Sequence, residues 1–168
     1  TGKYYSAIVC ADGKVYTTGI NNYGQLGQVG TITAPTPVTI SGKTIVDASG
    51  GWDHLLVQTS DNNVYSCGRN NAGQLGSNIA VDTISHPTFN SVVSRRLVSK
   101  IPLLYSYPQV DAAAISAGGS HNLLITSTGS LYVCGNNGSG QLGKTGITNS
   151  IYAIYISSAV NEAGVSES

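Results

Sequence analysis

Short apolar runs separated by turn signals repeat along this chain. Residues 55–59 (Leu-Leu-Val-Gln-Thr) and 63–67 (Asn-Val-Tyr-Ser-Cys) flank one such turn, Ser60-Asp61-Asn62-Asn63. Runs of this length, partly β-branched and bounded by turn residues, are typical of strands in a hairpin. Gly or Asn stands third in this turn and in the equivalent turns at 11–14 and 127–130, and both tolerate positive φ. No segment keeps a 3.6-residue apolar period, so the pattern predicts a β protein with little helix.

The word Gly-Gln-Leu-Gly marks three internal repeats. It stands at 24–27, 73–76 and 140–143, with offsets of 49 and 67 residues that also superpose the preceding hairpins. A four-residue motif at a constant distance from the same strands indicates a repeat architecture. We expect the Leu of this motif to pack under the neighbouring blade and its Gln to hydrogen-bond to the backbone across the junction. The predicted repeats cover about 2–50, 51–117 with an insertion at about 88–109, and 118–168.

Each repeat contains the signals for four short strands, which is typical of a β-propeller blade. We therefore predict an all-β fold: three blades of four-stranded antiparallel sheets that form a partial propeller or part of a larger ring. Edge strands invite pairing with other chains when they are uncovered. We expect other chains or missing repeats to cover the open blade edges.

Composition narrows the possible partners. Charged residues make up 10% of the 168 residues and the formal net charge is zero, which disfavours nucleic acid and anionic membranes as partners. No apolar run is long enough to span a bilayer, and no apolar leader follows Thr1. The chain has no Met, which we interpret as a fragment, a processed product or a trimmed chain. Ser, Thr and Asn supply 49 residues, a composition suited to hydrogen-bonded contacts or to an extracellular or virion-surface setting.

Candidate chemistry is explained by the repeats. Cys67 and Cys134 occupy one repeat position, as do His54 and His121, with Tyr5 in the first copy. We interpret the cysteines as core residues and the histidines as packing residues with one hydrogen bond to a neighbouring loop. Residues 138–145 fit the phosphate-loop pattern Gly-x4-Gly-Lys-Thr, but their glycines belong to the repeat and a poor helix former follows. We predict no catalytic residue, no metal site and no cofactor, hence no enzyme.

The insertion is the most individual stretch of the chain. Between Pro87 and Pro108 it combines basic residues with aromatic and apolar ones. Such a loop either contacts a partner or packs its own Leu and Tyr over a blade. Trp52 at a strand entry is either an exposed anchor or a cap on the blade. The predicted partner-binding residues are Trp52, Arg95, Arg96, Lys100, Tyr105 and Tyr107.

The repeat resembles that of the regulator of chromosome condensation family. The likeness lies in Gly followed three residues later by His or Tyr, then a Val-Tyr or Leu-Tyr strand and Gly-x-Asn-x-x-Gly-Gln-Leu-Gly. It covers nearly the whole chain except the insertion. The resemblance implies a propeller, typically of seven blades, and roles such as nucleotide exchange on a small GTPase, ubiquitin-pathway recognition, photoreception or inhibition of a secreted enzyme. A single Trp argues against photoreception, and zero net charge argues against chromatin contact.

These observations together predict a protein-interaction scaffold whose partner is another protein. Low charge suggests a larger secreted or virion-surface assembly, whereas the resemblance implies a cytoplasmic or nuclear location. The alternative function is that of a guanine-nucleotide exchange factor or regulator of a small GTPase.

Overall fold

A computed structural model describes residues 1–93, 96–97, 105–106 and 108–158. All regular elements in these ranges are strands. In chain order they are β1 (Tyr5–Val9), β2 (Val15–Gly19), β3 (Ile32–Val38), β4 (Ile45–Gly50), β5 (His54–Thr59), β6 (Val64–Gly68), β7 (Asn90–Ser91), β8 (Arg96–Leu97), β9 (Tyr105–Ser106), β10 (Ala112–Ala117), β11 (His121–Thr126), β12 (Ser130–Asn136) and β13 (Asn149–Ser158).

The strands form three antiparallel meanders, which we call blades, and one short hairpin. The first blade has the order β1-β2-β3, the second β4-β5-β6-β7 and the third β10-β11-β12-β13, while β8 and β9 pair separately. The predicted all-β blades are confirmed, although the first has three strands in the described residues rather than four. Strands β4 and β10 precede Gly51 and Gly118 in the chain yet pair with β5 and β11, so the second and third sheets each begin one strand before the sequence repeat.

The hairpin turns follow the predicted chemistry. Gly13, Asn62 and Gly129, the third residues of their turns, have φ values of 75°, 62° and 79°. A residue with a Cβ rarely adopts this region, and Asn is among the side chains that tolerate it best. One of these tight turns therefore lies at the same end of each blade. We call the end with the turns the turn end and the opposite end the loop end.

The apolar core lies between blades rather than within them. Leu55 and Val57 of β5 face the first blade, where they join Tyr5 and Leu26, and Leu56 faces the third blade, where it meets Leu124. Alternate residues of a strand point to opposite faces of its sheet. Strand β5 is buried along its whole length because a blade covers it on each side. Strands β1 and β11 of the outer blades are only partly buried.

The three Gly-Gln-Leu-Gly turns share a buried Leu. Leu26, Leu75 and Leu142 are at most 2% exposed, and Leu26 joins the core cluster between the first and second blades. The Asn five residues before each Leu accepts a hydrogen bond from its amide, with N–O distances of 3.1, 3.3 and 2.9 Å. The same Asn side chain donates to two carbonyls of the loop that follows. The side-chain amide of one Asn thus holds the whole turn through three hydrogen bonds.

The Gln of this word does not act as predicted. Its side chain was expected to bond across the junction, but Gln25 and Gln74 accept from amides two residues earlier in their own turns, at 3.0 and 2.9 Å. The main-chain carbonyl makes the link to the next blade instead. Cys67 Sγ donates to the Gln25 carbonyl at 3.8 Å, and Asn122 Nδ2 donates to the Gln74 carbonyl.

Candidate interaction surface

The loop end of the three blades holds the segments that precede the first hairpin strand of each repeat. A backbone hydrogen bond at this end joins the C-terminal end of each second hairpin strand to the residue before the first strand. These bonds run from Ile20 to Tyr4, from Arg69 to Asp53 and from Asn136 to Ser120, at 3.0, 2.8 and 2.8 Å. The segments before β1, β5 and β11 are therefore held at equivalent places on one surface.

Neighbouring blades are also tied to each other here. The Lys3 amide donates to the Trp52 carbonyl, and the Trp52 amide donates to the Gly119 carbonyl, both at 3.2 Å. The indole of Trp52 lies over Gly119, where an added Cβ would stand 3.0 Å from the ring. Trp52 thus bridges the second and third blades through its main chain while its ring remains 59% exposed.

Three side chains form an exposed group that we call the Trp52 cluster: Lys3, Tyr4 and Trp52. The Lys3 ammonium lies 5.2 Å from the Tyr4 ring centroid and 5.5 Å from that of Trp52, within the range of cation–π attraction. Tyr4 is 61% exposed. Large exposed aromatic rings beside a cation are favoured as anchors in protein interfaces. The cluster is consequently the strongest candidate contact surface among the described residues.

A second aromatic–cation contact adjoins it. The Arg69 guanidinium lies 4.7 Å from the Tyr23 ring centroid and 3.3 Å from Asp53 Oδ2. The charge of Arg69 is therefore compensated by a carboxylate. No ion pair involves Lys3 among the described residues.

Tyr5 and His54, which share a repeat position with His121, belong to the blade junctions. The Tyr5 hydroxyl donates to the His54 carbonyl of the second blade, and the His54 ring bonds the Asn122 side chain of the third at 2.7 Å. Because Asn122 Nδ2 donates to the Gln74 carbonyl, its Oδ1 accepts and His54 Nε2 must donate. Burial lowers the pKa of His54 from 6.5 to about 4, since its charged form would lose water. The predicted packing role with one cross-blade hydrogen bond is confirmed for His54, although the partner lies on a strand rather than a loop.

The cysteines at equivalent positions are also structural. Cys67 and Cys134 are free and fully buried. Burial raises the pKa of both thiols, that of Cys134 to about 11, which suppresses the reactive thiolate. The predicted core role is confirmed.

Two other chemical possibilities find no support in the described part of the chain. A turn and then β13 follow the phosphate-loop match, where a nucleotide site would need a helix N-terminus. No group of three or more His, Cys, Asp or Glu side chains could hold a metal ion in the described residues.

The described residues contain no helix that is long and apolar enough to cross a lipid bilayer.

The structure separates Trp52 from the base of the insertion. Strand β7 runs antiparallel to β6, and the bridge between Val93 and Gln109 closes the base beside Val64, at the turn end of the second blade. Trp52 lies at the loop end. Of the other predicted partner-binding residues, Arg96 and Tyr105 lie in the β8–β9 hairpin, and Arg95, Lys100 and Tyr107 lie outside the described residues. The binding role of these residues stays a prediction.

Sequence reasoning did not single out Lys3 or Tyr4. The repeat alignment contains a usable signal, because Lys3 is equivalent to Trp52 and Gly119, and Tyr4 to Asp53. Both positions differ between the copies, whereas the Gly that precedes them is constant, and this variation marks them as candidates for function.

Comparison with known proteins identifies the repeat. The profile of the regulator of chromosome condensation (RCC1) repeat matches residues 12–58 and 61–125, and a second profile of the same repeat matches 45–74 and 112–141. The chain belongs to the RCC1 repeat family. The resemblance inferred from the repeated residues is thereby confirmed.

Curated RCC1-repeat relatives include the X-linked retinitis pigmentosa GTPase regulators of dog and human. Each is 34% identical over 151 residues, which is 88% of this chain. The match covers 14% of the dog protein and 13% of the human one, so the chain spans about one seventh of these relatives.

Solved RCC1-type structures share the fold. Yeast RCC1 (Prp20) bound to Kap60 matches with a TM-score of 0.75 at 18% identity, over 96% of this chain and 37% of the yeast chain. Human WBSCR16 matches with a TM-score of 0.74 at 21% identity, over 94% of this chain and 36% of that chain. At these identities the likeness supports the propeller blades alone.

Proposed function

We propose that this RCC1-repeat chain is a protein-interaction scaffold without catalytic activity of its own, whose partner is another protein. The observation that carries the proposal is the Trp52 cluster, with two rings about 60% exposed at the loop end of the blades. Two large rings exposed at the end of a rigid sheet carry an unfavourable free energy of hydration, and a partner that covers them removes that surface from water. The backbone bonds at Trp52 hold this surface in place before any partner arrives.

The low charge of the chain favours a contact surface dominated by aromatic and hydrogen-bonding groups. Nucleic acid and membrane are disfavoured as partners on the same ground. A secreted or virion-surface assembly is the setting that this composition suggests. We further propose that other chains or further repeats cover the outer faces of the first and third blades.

A second candidate function is regulation of a small GTPase. It is favoured by the relatives named GTPase regulators and by a yeast Prp20p structure described with its binding to Gsp1p and histones. An exchange factor must loosen the nucleotide on the GTPase, whereas a scaffold need only bind.

One experiment separates the two candidates. The chain is titrated against a panel of small GTPases that carry a fluorescent GDP analogue, with binding and nucleotide release measured together. Binding without faster release supports the scaffold, whereas accelerated release refutes the scaffold-only proposal and supports the exchange factor. Trp52→Ala should weaken binding in either case, and Ile125→Ala, an exposed strand position near the turn end, is the control that should not. Equal binding by both variants would contradict the assigned surface.

A further inference from the structure

The Trp52 cluster has an unusual occupant, the chain's own Lys3. Its ammonium lies over the rings of both Tyr4 and Trp52, 5.2 and 5.5 Å from their centroids. Lysine side chains are strongly hydrated and lose rotamer freedom when held in one place. An exposed lysine therefore occupies such a position only because the ring faces attract it.

The main chain that carries the two rings is fixed by hydrogen bonds, and the Trp52 ring is supported from below. The main chain of Trp52 is bonded to both neighbouring blades, and its ring rests on Gly119. The Tyr4 carbonyl accepts the amide of Ile20 at 3.0 Å, which anchors the start of β1. Lys3 is held at its amide, but its side chain is a flexible stem. The aromatic walls can therefore persist when the ammonium leaves.

No carboxylate among the described residues competes for this ammonium. The nearest acidic side chain in sequence to Trp52 is Asp53, which pairs with Arg69 at 3.3 Å. The face of an aromatic ring carries the negative part of its quadrupole, so the space between the rings attracts cations and disfavours anions. Attraction to the ring faces is thus what holds the charge of Lys3 at this place.

We propose that Tyr4 and Trp52 form a binding site for a cationic side chain of a partner, an alkylated or free ammonium, and that Lys3 occupies the site as an internal competitor. The proposal rests on the scaffold function and deepens it, because it assigns the chemistry of the partner's contact. Aromatic walls of this kind are a general means of recognising quaternary ammonium groups. Displacement of Lys3 costs little because its side chain is already exposed to water.

Trp52 makes the site directly observable because it is the only Trp of the chain. Its fluorescence is measured during titration with choline and, in parallel, with 3,3-dimethyl-1-butanol, the neutral molecule of the same shape. We expect a saturable change with choline and none with the alcohol. An equal response to both would mean that the contact is merely apolar and would overturn the proposal.

The Lys3→Ala variant gives the sharpest test. Removal of an internal competitor held by an exposed cation–π contact should tighten choline binding about two- to fivefold. Unchanged or weaker choline binding by this variant would overturn the competitor role of Lys3. If the wild type binds a glutamate peptide and Lys3→Ala does not, the site recognises anions through Lys3, which would also overturn the proposal. Tyr4→Ala should weaken choline binding, whereas Tyr155→Ala, an exposed Tyr elsewhere, should not.

Choline binding and partner binding are measured separately, so the two proposals can fail separately. A chain that binds choline through Trp52 but binds no protein would refute the scaffold function and leave the cation site. A chain that binds a protein through Trp52 but ignores choline would refute the cation site and leave the scaffold.

Discussion

The two blade junctions use two different pairs of side chains at the same place. Tyr5 of the first blade meets the second blade, where the position after its partner His54 is Leu55. In the next junction His54 meets the third blade, where the equivalent position is Asn122. Each ring lies over the Gly three residues before it, so the two sites have the same shape. We predict that His54→Tyr and Asn122→Leu destabilise the chain singly and compensate each other when combined.

The magnitude follows from the hydrogen bonds that each change removes. Asn122→Leu leaves the buried His54 Nε2 without an acceptor, which costs about 1–3 kcal/mol, whereas Cys134 Sγ can replace the lost donor to the Gln74 carbonyl. We therefore expect a loss of about 1–3 kcal/mol. His54→Tyr alone adds volume against Asn122 and leaves its Oδ1 without a donor, which costs about 1–3 kcal/mol for overpacking and a similar amount for the lost bond.

The double variant should restore both functions of the junction. The new Tyr can donate to the carbonyl of the third blade as Tyr5 does to His54, and Cys134 Sγ is then free to donate to Gln74 as Cys67 does to Gln25. Urea unfolding of the wild type, both single variants and the double variant gives the coupling free energy directly. A coupling within about 0.5 kcal/mol of zero would show that the two positions act independently and would refute this reasoning.

Three further predictions concern other parts of the chain. The pKa of His54 is about 4 in the folded state, below the unfolded value of 6.5, so its full contribution to the free energy of unfolding is present above pH 6.5 and about 3 kcal/mol is lost as the pH falls to about 4. Urea titrations at several pH values should show this loss, and His54→Tyr should remove it. Leu75→Ala should cost about 3–5 kcal/mol because the side chain is fully buried, and an unchanged melting temperature would contradict its packing role. The double variant Arg95→Ser with Arg96→Ser should leave the melting temperature unchanged and weaken the affinity for the partner. Full retention of affinity would exclude these residues from the contact.

The repeat architecture could be predicted from the sequence because each structural demand recurs with the same residue type. The same Leu in all three copies of Gly-Gln-Leu-Gly indicates a buried position, and Gly or Asn at the third place of all three hairpin turns indicates positive φ. The role of Gln was wrong for a physical reason. A repeated polar residue shows that a hydrogen bond is needed, but not whether the side chain or the main chain makes the link between blades.

The candidate surface was harder to predict. Trp52 stood out because Trp is rare in this chain, but its two possible roles, an exposed anchor and a cap, were both open. The structure gives it features of each, since its main chain joins two blades and its ring stays exposed. Lys3 and Tyr4 carry no motif, and only the approach of two blades brings them to Trp52.

A core that lies between sheets rather than inside them has a consequence for the dynamics of the chain. Arrays in which each unit is stabilised by its neighbours lose order from their ends, because a terminal unit has one interface and an internal unit has two. Amide hydrogens of β5 should therefore exchange with solvent only when the whole array unfolds, and those of β1 and β11 should exchange earlier, by fraying. Resistance to exchange would thus be greatest in the middle of the arc and fall toward both ends.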